Sequence, residues 1–327
     1  MAGVSWTGDK KGLTLVEILI ALAAISIISA GMVAAFISHN RMSAAEEARI
    51  KVQMNLRVAV DRLKNVLRHA GLGCYDSFDE DRTMSGVDPD NGTIEISSFI
   101  SHVERHDIPG TDMKSDSLIL TYGFKKIGSV SEVLEKDRIM LDRDPSPSVT
   151  AGGEFKRYLS FFPSLHGNRY FQVKTVNGRE VSFFEDLAGV MSGNKVFMVS
   201  PVRIKISQSS EESVLFLQNF AYGSSLYWII AEGIEHIRFQ YYTGEQGWVD
   251  NPGKDSLQDI RKIRFWVLGK SSHPVRVHET QNLEIRDQQN QEVVYRAGPF
   301  DDGHVRMVST GTVYLRNAIF TNRAEQK

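Results

Sequence analysis

Hydrophobic and polar positions divide this chain into three stretches of different period. From Ile18 to Asn40, 23 residues carry no formally charged side chain when His39 is neutral. As a helix, that run would be about 35 Å long, enough to cross a hydrocarbon core of about 30 Å. After Asn40 the pattern turns amphipathic. Val52, Leu56, Val60, Leu63, Leu67 and Ala70 recur at three- and four-residue steps, while Arg49, Lys51, Asp61, Arg62, Lys64 and Arg68 fall mostly on the other faces. No proline precedes Pro89, and Gly71 and Gly73 supply a C-terminal stop. The spacing predicts one helix from Leu13 to Ala70, about 87 Å long. Gly31 is its one obvious weak point within the apolar segment.

From Cys74 onward the helical period is lost. Asp76 to Gly92 is acidic and rich in turn formers and reads as a surface loop. Farther on, Val202, Ile204 and Ile206 alternate with Arg203, Lys205 and Ser207. Ile237, Phe239 and Tyr241 alternate with Arg238 and Gln240, and Ile263, Phe265 and Val267 with Arg264 and Trp266. Period two of this kind predicts half-buried antiparallel strands. Further strands are expected over Thr93–Ile100, Ser117–Phe124, Arg157–Phe162, Lys195–Ser200, Val214–Leu217, Leu226–Ile230 and Thr312–Leu315. Turn-rich joins such as Gly244–Asp255 and Gly298–Gly303 separate them. The fold class is therefore α+β: a long N-terminal helix, transmembrane in its first half and amphipathic in its second, packed on a large, mostly antiparallel β head. The head has room for two sheets or lobes, with a weak join near Asp142 to Gly153.

Charge changes this picture at one point. Glu17 places a carboxylate at the start of the apolar run, five residues past Gly12, and Lys10-Lys11 precede it. A carboxylate in a membrane segment is costly and marks function. Its natural partner is a new α-amino group made by cutting after Gly12. A secretory signal carries its cut site after the apolar core. Here the cut would leave that core on the mature chain. The two lysines fit the cytoplasmic side, which sends the head across the membrane.

Lys10-Lys11-Gly12-Leu13-Thr14-Leu15-Val16-Glu17 resembles the class III leader of type IV prepilins and pseudopilins. The resemblance implies cleavage between Gly12 and Leu13 by a prepilin peptidase and N-methylation of Leu13. It also implies pairing of Glu17 with the methylated amine of a neighbouring subunit. Leu13 stands where the family most often has Phe. Head segments are similar to those of PilW-type minor pilins: Arg68 to Cys74, Gly233 to Tyr241, Ile260 to Lys270, and Val305-Arg306-Met307-Val308 with Val313 to Asn317. The organisation expected is a leader over 1–12, a transmembrane or filament-core half-helix over 13–40, an amphipathic half-helix over 41–72 and the head over 73–327. The implied partners are other minor and major pilins, the prepilin peptidase, the inner-membrane assembly platform and membrane lipid. The implied location is the inner membrane as a single pass with a periplasmic head, then the pilus at the cell surface. A J-like minor pseudopilin of a type II secretion system and a membrane-tethered periplasmic enzyme or binding domain stand as alternatives.

Composition narrows the chemistry further. Removing residues 1–12 takes Lys plus Arg from 38 to 36 and Asp plus Glu from 40 to 39, a formal charge of −3. That balance argues against nucleic-acid binding, which wants a basic excess. The one cysteine, Cys74, forms no internal disulfide and reads as a small apolar residue. His102 and His106 are four apart, but Glu104 occupies the wrong slot for a zinc-protease motif. Asp76, Asp79, Asp81, Asp88 and Asp90 lack the spacing of a calcium loop. No catalytic residue, metal site or cofactor is expected, and the chain reads as a structural subunit.

Overall fold

The computed structural model describes residues 14–71, 84–88, 92–96, 100–101, 106–107, 114–145, 149, 157–163, 169–208, 213–220, 226–244, 246–250, 252, 259–275, 281–286 and 293–315. One α-helix lies among them, α1 (Leu15–Arg68), 54 residues and about 81 Å long. Every residue from Thr14 to Ala44 is exposed. Val52, Leu56, Ala59, Val60, Leu63 and Leu67 are buried, which is the stripe the spacing predicts. The helix ends at Arg68, two residues short of Ala70. His69 caps it, and Gly71 turns the chain at φ 74°, a region open to glycine. The Gly71 amide then donates to Thr121 O at 2.8 Å, which ties the helix end to the head.

The head opens with short pieces. β1 (Met84–Asp88) pairs antiparallel with β2 (Gly92–Ile96), β3 (Ile100–Ser101) follows, and β4 (His106–Asp107) pairs with β5 (Lys114–Ser115). The expected loop over Asp76–Gly92 is corrected here: residues 84–88 form a strand, and Met84 is buried. Its remaining residues lie outside the described residues, apart from Gly92 at the start of β2.

Six strands then close on themselves. β6 (Leu118–Glu135), β7 (Arg138–Leu141), β8 (Tyr158–Phe162), β9 (Tyr170–Asn177), β10 (Glu180–Phe183) and β11 (Lys195–Gln208) pair in the cyclic order β6–β7–β10–β9–β8–β11–β6, all antiparallel. This small barrel leaves its members no free edge along the paired stretches. Its interior is filled by Ile127, Val130, Ile139, Leu159, Phe161, Phe171, Val181, Phe183, Val196 and Met198. Phe161, Phe171 and Phe183 meet there with centroids 5.6 to 6.3 Å apart, in tilted and edge-to-face contacts. The weak join near Asp142 is corrected by this closure. It connects β7 to β8, two strands of one barrel, and Asp142 Oδ1 accepts the Ser129 amide at 2.9 Å.

β11 replaces two expected strands, 195–200 and 202–207, by running through Pro201. The reason lies in its neighbours. β11 pairs with β8 along Lys195–Val199 and with β12 (Ser213–Asn219) along Val202–Gln208. Pro201 falls in the gap between those two partners, so its missing N–H costs no ladder bond on that side. β13 (Leu226–Glu232) adds at the outer edge of β12.

The C-terminal part is a four-stranded antiparallel sheet in the order β15–β14–β16–β19, made from β14 (Ile234–Thr243), β15 (Gly247–Val249), β16 (Ile260–Lys270) and β19 (Arg306–Tyr314). A hairpin of β17 (Gln281–Arg286) and β18 (Val293–Phe300) interrupts it. The stripe of α1 packs on the inner face of this sheet, with Ile237, Phe239, Tyr241, Ile263, Phe265, Val267 and Val313 in one core. The approach is close: a Cβ on Gly269 would meet Val52 and Leu56 at 3.0 to 3.2 Å.

Two joins read from the sequence differ in the structure. Gly247–Val249, inside Gly244–Asp255, is a strand, and Gly298–Phe300 ends β18. Trp266, read as outward-facing with Arg264, is fully buried. The β17–β18 hairpin covers that part of the outer face, stacking Tyr295 on Trp266 at 6.1 Å with Leu268, Ala297 and Phe300 around them. Alternation therefore read one buried face where a short stretch of β16 has two.

Candidate functional site

The N-terminal end of α1 joins the chemistry of Glu17 to an uncovered apolar surface. Leu15, Val16, Ile18, Leu19, Ile20, Leu22 and Ile25 through Ile37 lie bare on all sides of the helix. A helix apolar all round wants lipid or other helices around it. This helix is long and apolar enough to cross a membrane, and the most apolar part of it buries nothing inside the chain.

Thr14 and Glu17 form a reciprocal cap at its start. The Glu17 amide donates to Thr14 Oγ1 at 3.3 Å, while the Thr14 amide and hydroxyl donate to Glu17 Oε2 at 2.9 and 3.0 Å. Two otherwise orphaned helix-end donors are thereby satisfied. The Thr-x-x-Glu spacing was present in the sequence as a capping signal, so Thr14 is a site residue that the charge argument alone passed over. Both bonds use Oε2, and Oε1 has no partner among the described residues. Gly12 and Leu13 lie outside the described residues.

The other candidates do not assemble into a site. His106 lies in β4 and Asp88 in β1. His102, Cys74, Asp76, Asp79, Asp81 and Asp90 lie outside the described residues. No group of three or more His, Cys, Asp or Glu side chains able to hold a metal exists among the described residues.

The head's buried charges are spent on holding strands together. Arg306 bonds Glu235 at 2.6 and 3.1 Å and Asp302 at 2.5 and 2.7 Å, with the Phe300 ring 3.9 Å from its guanidinium carbon. Lys270 Nζ lies 3.6 Å from Glu235 and 3.5 Å from Asp302. The Arg306 bonds hold Asp302 well below the usual carboxylate range. His236 Nε2 donates to Lys114 O at 2.9 Å, so Nδ1 accepts from the Tyr295 hydroxyl at 2.8 Å. Burial pushes the His236 pKa down to about 4 and the Tyr295 hydroxyl up. At the helix flank, Arg62 Nη1 donates to the carbonyls of Ile229 and Ile230 at 2.8 and 3.1 Å, clasping β13.

Comparison with known proteins bears on the N terminus. Residues 8–33 match the family model described as the prokaryotic N-terminal methylation motif. That segment spans Lys10 to Glu17 and the apolar run as far as Val33. The motif and the bare apolar helix together support a pilin-like subunit that is anchored in a membrane by its N terminus. No curated protein matches the chain. Among solved structures, a type IV-like pilin from Thermus thermophilus aligns over 82% of this chain and 97% of its own, at 11% identity and a TM-score of 0.38.

Proposed function

We propose that this chain is a minor type IV pilin of the PilW type, a structural subunit that primes or caps pilus assembly. Prepilin peptidase cuts between Gly12 and Leu13, and the new Leu13 amine is N-methylated. Before assembly the apolar half of α1 lies in the inner membrane with the head in the periplasm. The observation that carries this reading is Glu17. It is the one carboxylate in the bare stretch of α1 from Thr14 to Ala44, five residues past Gly12 and inside the methylation motif.

The mechanism is charge pairing in lipid. An ionised side chain costs about 2.5–3.5 kcal/mol at a helix centre on insertion scales, which is an upper bound for Glu17 in the first turn. The Thr14 cap offsets part of that cost, and the Thr14 amide survives cleavage because it is a peptide bond of the mature chain. Oε1 remains for the methylated ammonium of a neighbour. Docking there removes the remaining penalty and sets the axial register between subunits. The order of the head segments named above supports the PilW type, and a J-like pseudopilin of a type II secretion system is the alternative.

Mass spectrometry of the mature N terminus, from cells with and without prepilin peptidase, tests the proposal. Methylated Leu13 that depends on the enzyme is the expected result. An intact Met1 in both strains overturns it and leaves a plain anchor. Deletion of the gene should abolish pili and leave type II secretion intact; the opposite outcome makes the chain a pseudopilin.

A further inference from the structure

Where the second half of α1 packs on the head, the opposite side of its turns is bare. Ile50, Met54 and Val58 follow one another at four-residue steps and are 56%, 64% and 43% exposed. Met54 sits two residues from both Val52 and Leu56, about 200° around the helix from the buried stripe. Single exposed apolar side chains are ordinary, but three on one line form a patch. The patch widens toward β13. One turn after Val58, Arg62 clasps the Ile229 and Ile230 carbonyls, and Ile229 is itself 55% exposed.

Height above the membrane selects what covers it. Counted from Asn40, the end of the uncharged run, Ile50 lies about 15 Å along the helix and Val58 about 27 Å. The headgroup zone is only about 5–8 Å deep on each side, so lipid does not reach the stripe. Charge then selects among proteins. Glu47 stands three residues before Ile50 and Asp61 three after Val58, so the same line carries a carboxylate at each end. Both are exposed, and neither is in an ion pair among the described residues. A second copy anchored in the same membrane would lie parallel, and a two-fold pair would set Glu47 against Glu47 and Asp61 against Asp61. Like charges on the seam disfavour that pair.

We propose that this stripe docks the head-side helix of a different membrane-anchored subunit, running parallel to α1. That helix carries an apolar stripe of matching length, with a Lys or Arg at the level of Glu47 and another at the level of Asp61. Apolar burial supplies the affinity, and the two end pairs set the register. The inference rests on the reading of this chain as a membrane-anchored, pilin-like subunit and adds the chemistry of its lateral partner.

The test is photo-cross-linking in cells from a benzophenone side chain placed at Met54 of the full chain, with Gln53, exposed but off the line, as control. Met54 should give at least tenfold more adduct than Gln53. The adduct should join it to another protein with its own N-terminal apolar helix, at a residue equally far from that protein's mature N terminus to within one turn. Asp61→Lys, a change at an exposed position, should cut the adduct at least fivefold, and reversal of the facing cation in the partner to Asp should restore it. An adduct with a second copy of this chain, with lipid alone or with a protein lacking such a helix overturns the proposal. So do absence of any adduct and an adduct indifferent to Asp61→Lys. Failure here beside a methylated Leu13 removes this interface alone, whereas an intact Met1 removes the pilin reading.

Discussion

On the proposed mechanism, replacing Glu17 by Ala removes the acceptor for a neighbouring subunit's ammonium but leaves Gly12, Leu13 and the apolar run untouched. We expect normal cleavage and at least a tenfold loss of the subunit from sheared pili, read by immunoblot. Normal incorporation of Glu17→Ala would remove charge pairing from the mechanism. His236 makes a second residue-scale prediction. Its folded pKa, about 4, lies below the ordinary 6.5, so the unfolded chain binds the proton more readily. Stability from this group is complete above pH 6.5 and is lost as pH falls through 4. A gap of that size is worth about 3 kcal/mol. Thermal unfolding should show the melting temperature falling between those limits, and His236→Gln should flatten that slope. An unchanged slope would assign the loss in that window to other groups; Asp302 is not among them, because its depressed pKa acts only at lower pH. The two residues differ in legibility. Thr14 and Glu17 could be read because their chemistry is local in sequence. His236 could not, because Tyr295 and Lys114 are 59 and 122 residues away.

At the scale of elements, α1 was legible nearly to its last residue, since a 3.6-residue stripe needs only its own spacing. Strands were legible where one face is solvated, as in β14. They were missed where closure buried them differently. β7 and β10 are only four residues each and become strands, with β9, through the barrel, and β16 hid its second buried face because a distant hairpin covers it. The latch around Arg306 fastens that arrangement, linking β14, β16 and β19 beside the hairpin. Arg306→Met leaves Glu235 buried without its bidentate partner, and we expect a loss of about 3–5 kcal/mol. Lys270→Met removes a more exposed cation, and we expect under about 1 kcal/mol. Urea unfolding followed by tryptophan fluorescence separates the two. Equal losses would mean that the network is held by its perimeter and not by Arg306. Gly311 tests the inner face of the same strands: a Cβ there would collide with the ring of Phe265, itself fully buried. Gly311→Ala should therefore cost about 1–3 kcal/mol by overpacking.

On the scale of the whole molecule, the head has two interiors joined by two long strands. Leu118 and Leu120 of β6 and Val199, Val202 and Ile204 of β11 belong to the core that α1 fills. Ile127 and Val130 of β6 and Val196 and Met198 of β11 belong to the barrel, to which α1 contributes nothing. The register between these strands shifts at Val196/Phe197 and Met198/Val199, where one interior gives way to the other. Packing energy is local, so damage at α1 should stay on its own side of that shift. Leu63→Ala empties a fully buried site and should cost about 2–5 kcal/mol. Hydrogen exchange should then quicken in β12, β14, β16 and β19 while β9 and β10 keep their protection. Equal quickening throughout would make the head one cooperative unit, with β6 and β11 transmitting the loss. If protection in the barrel persists, the shift from lipid to filament that the proposed function requires of the helix leaves the barrel folded.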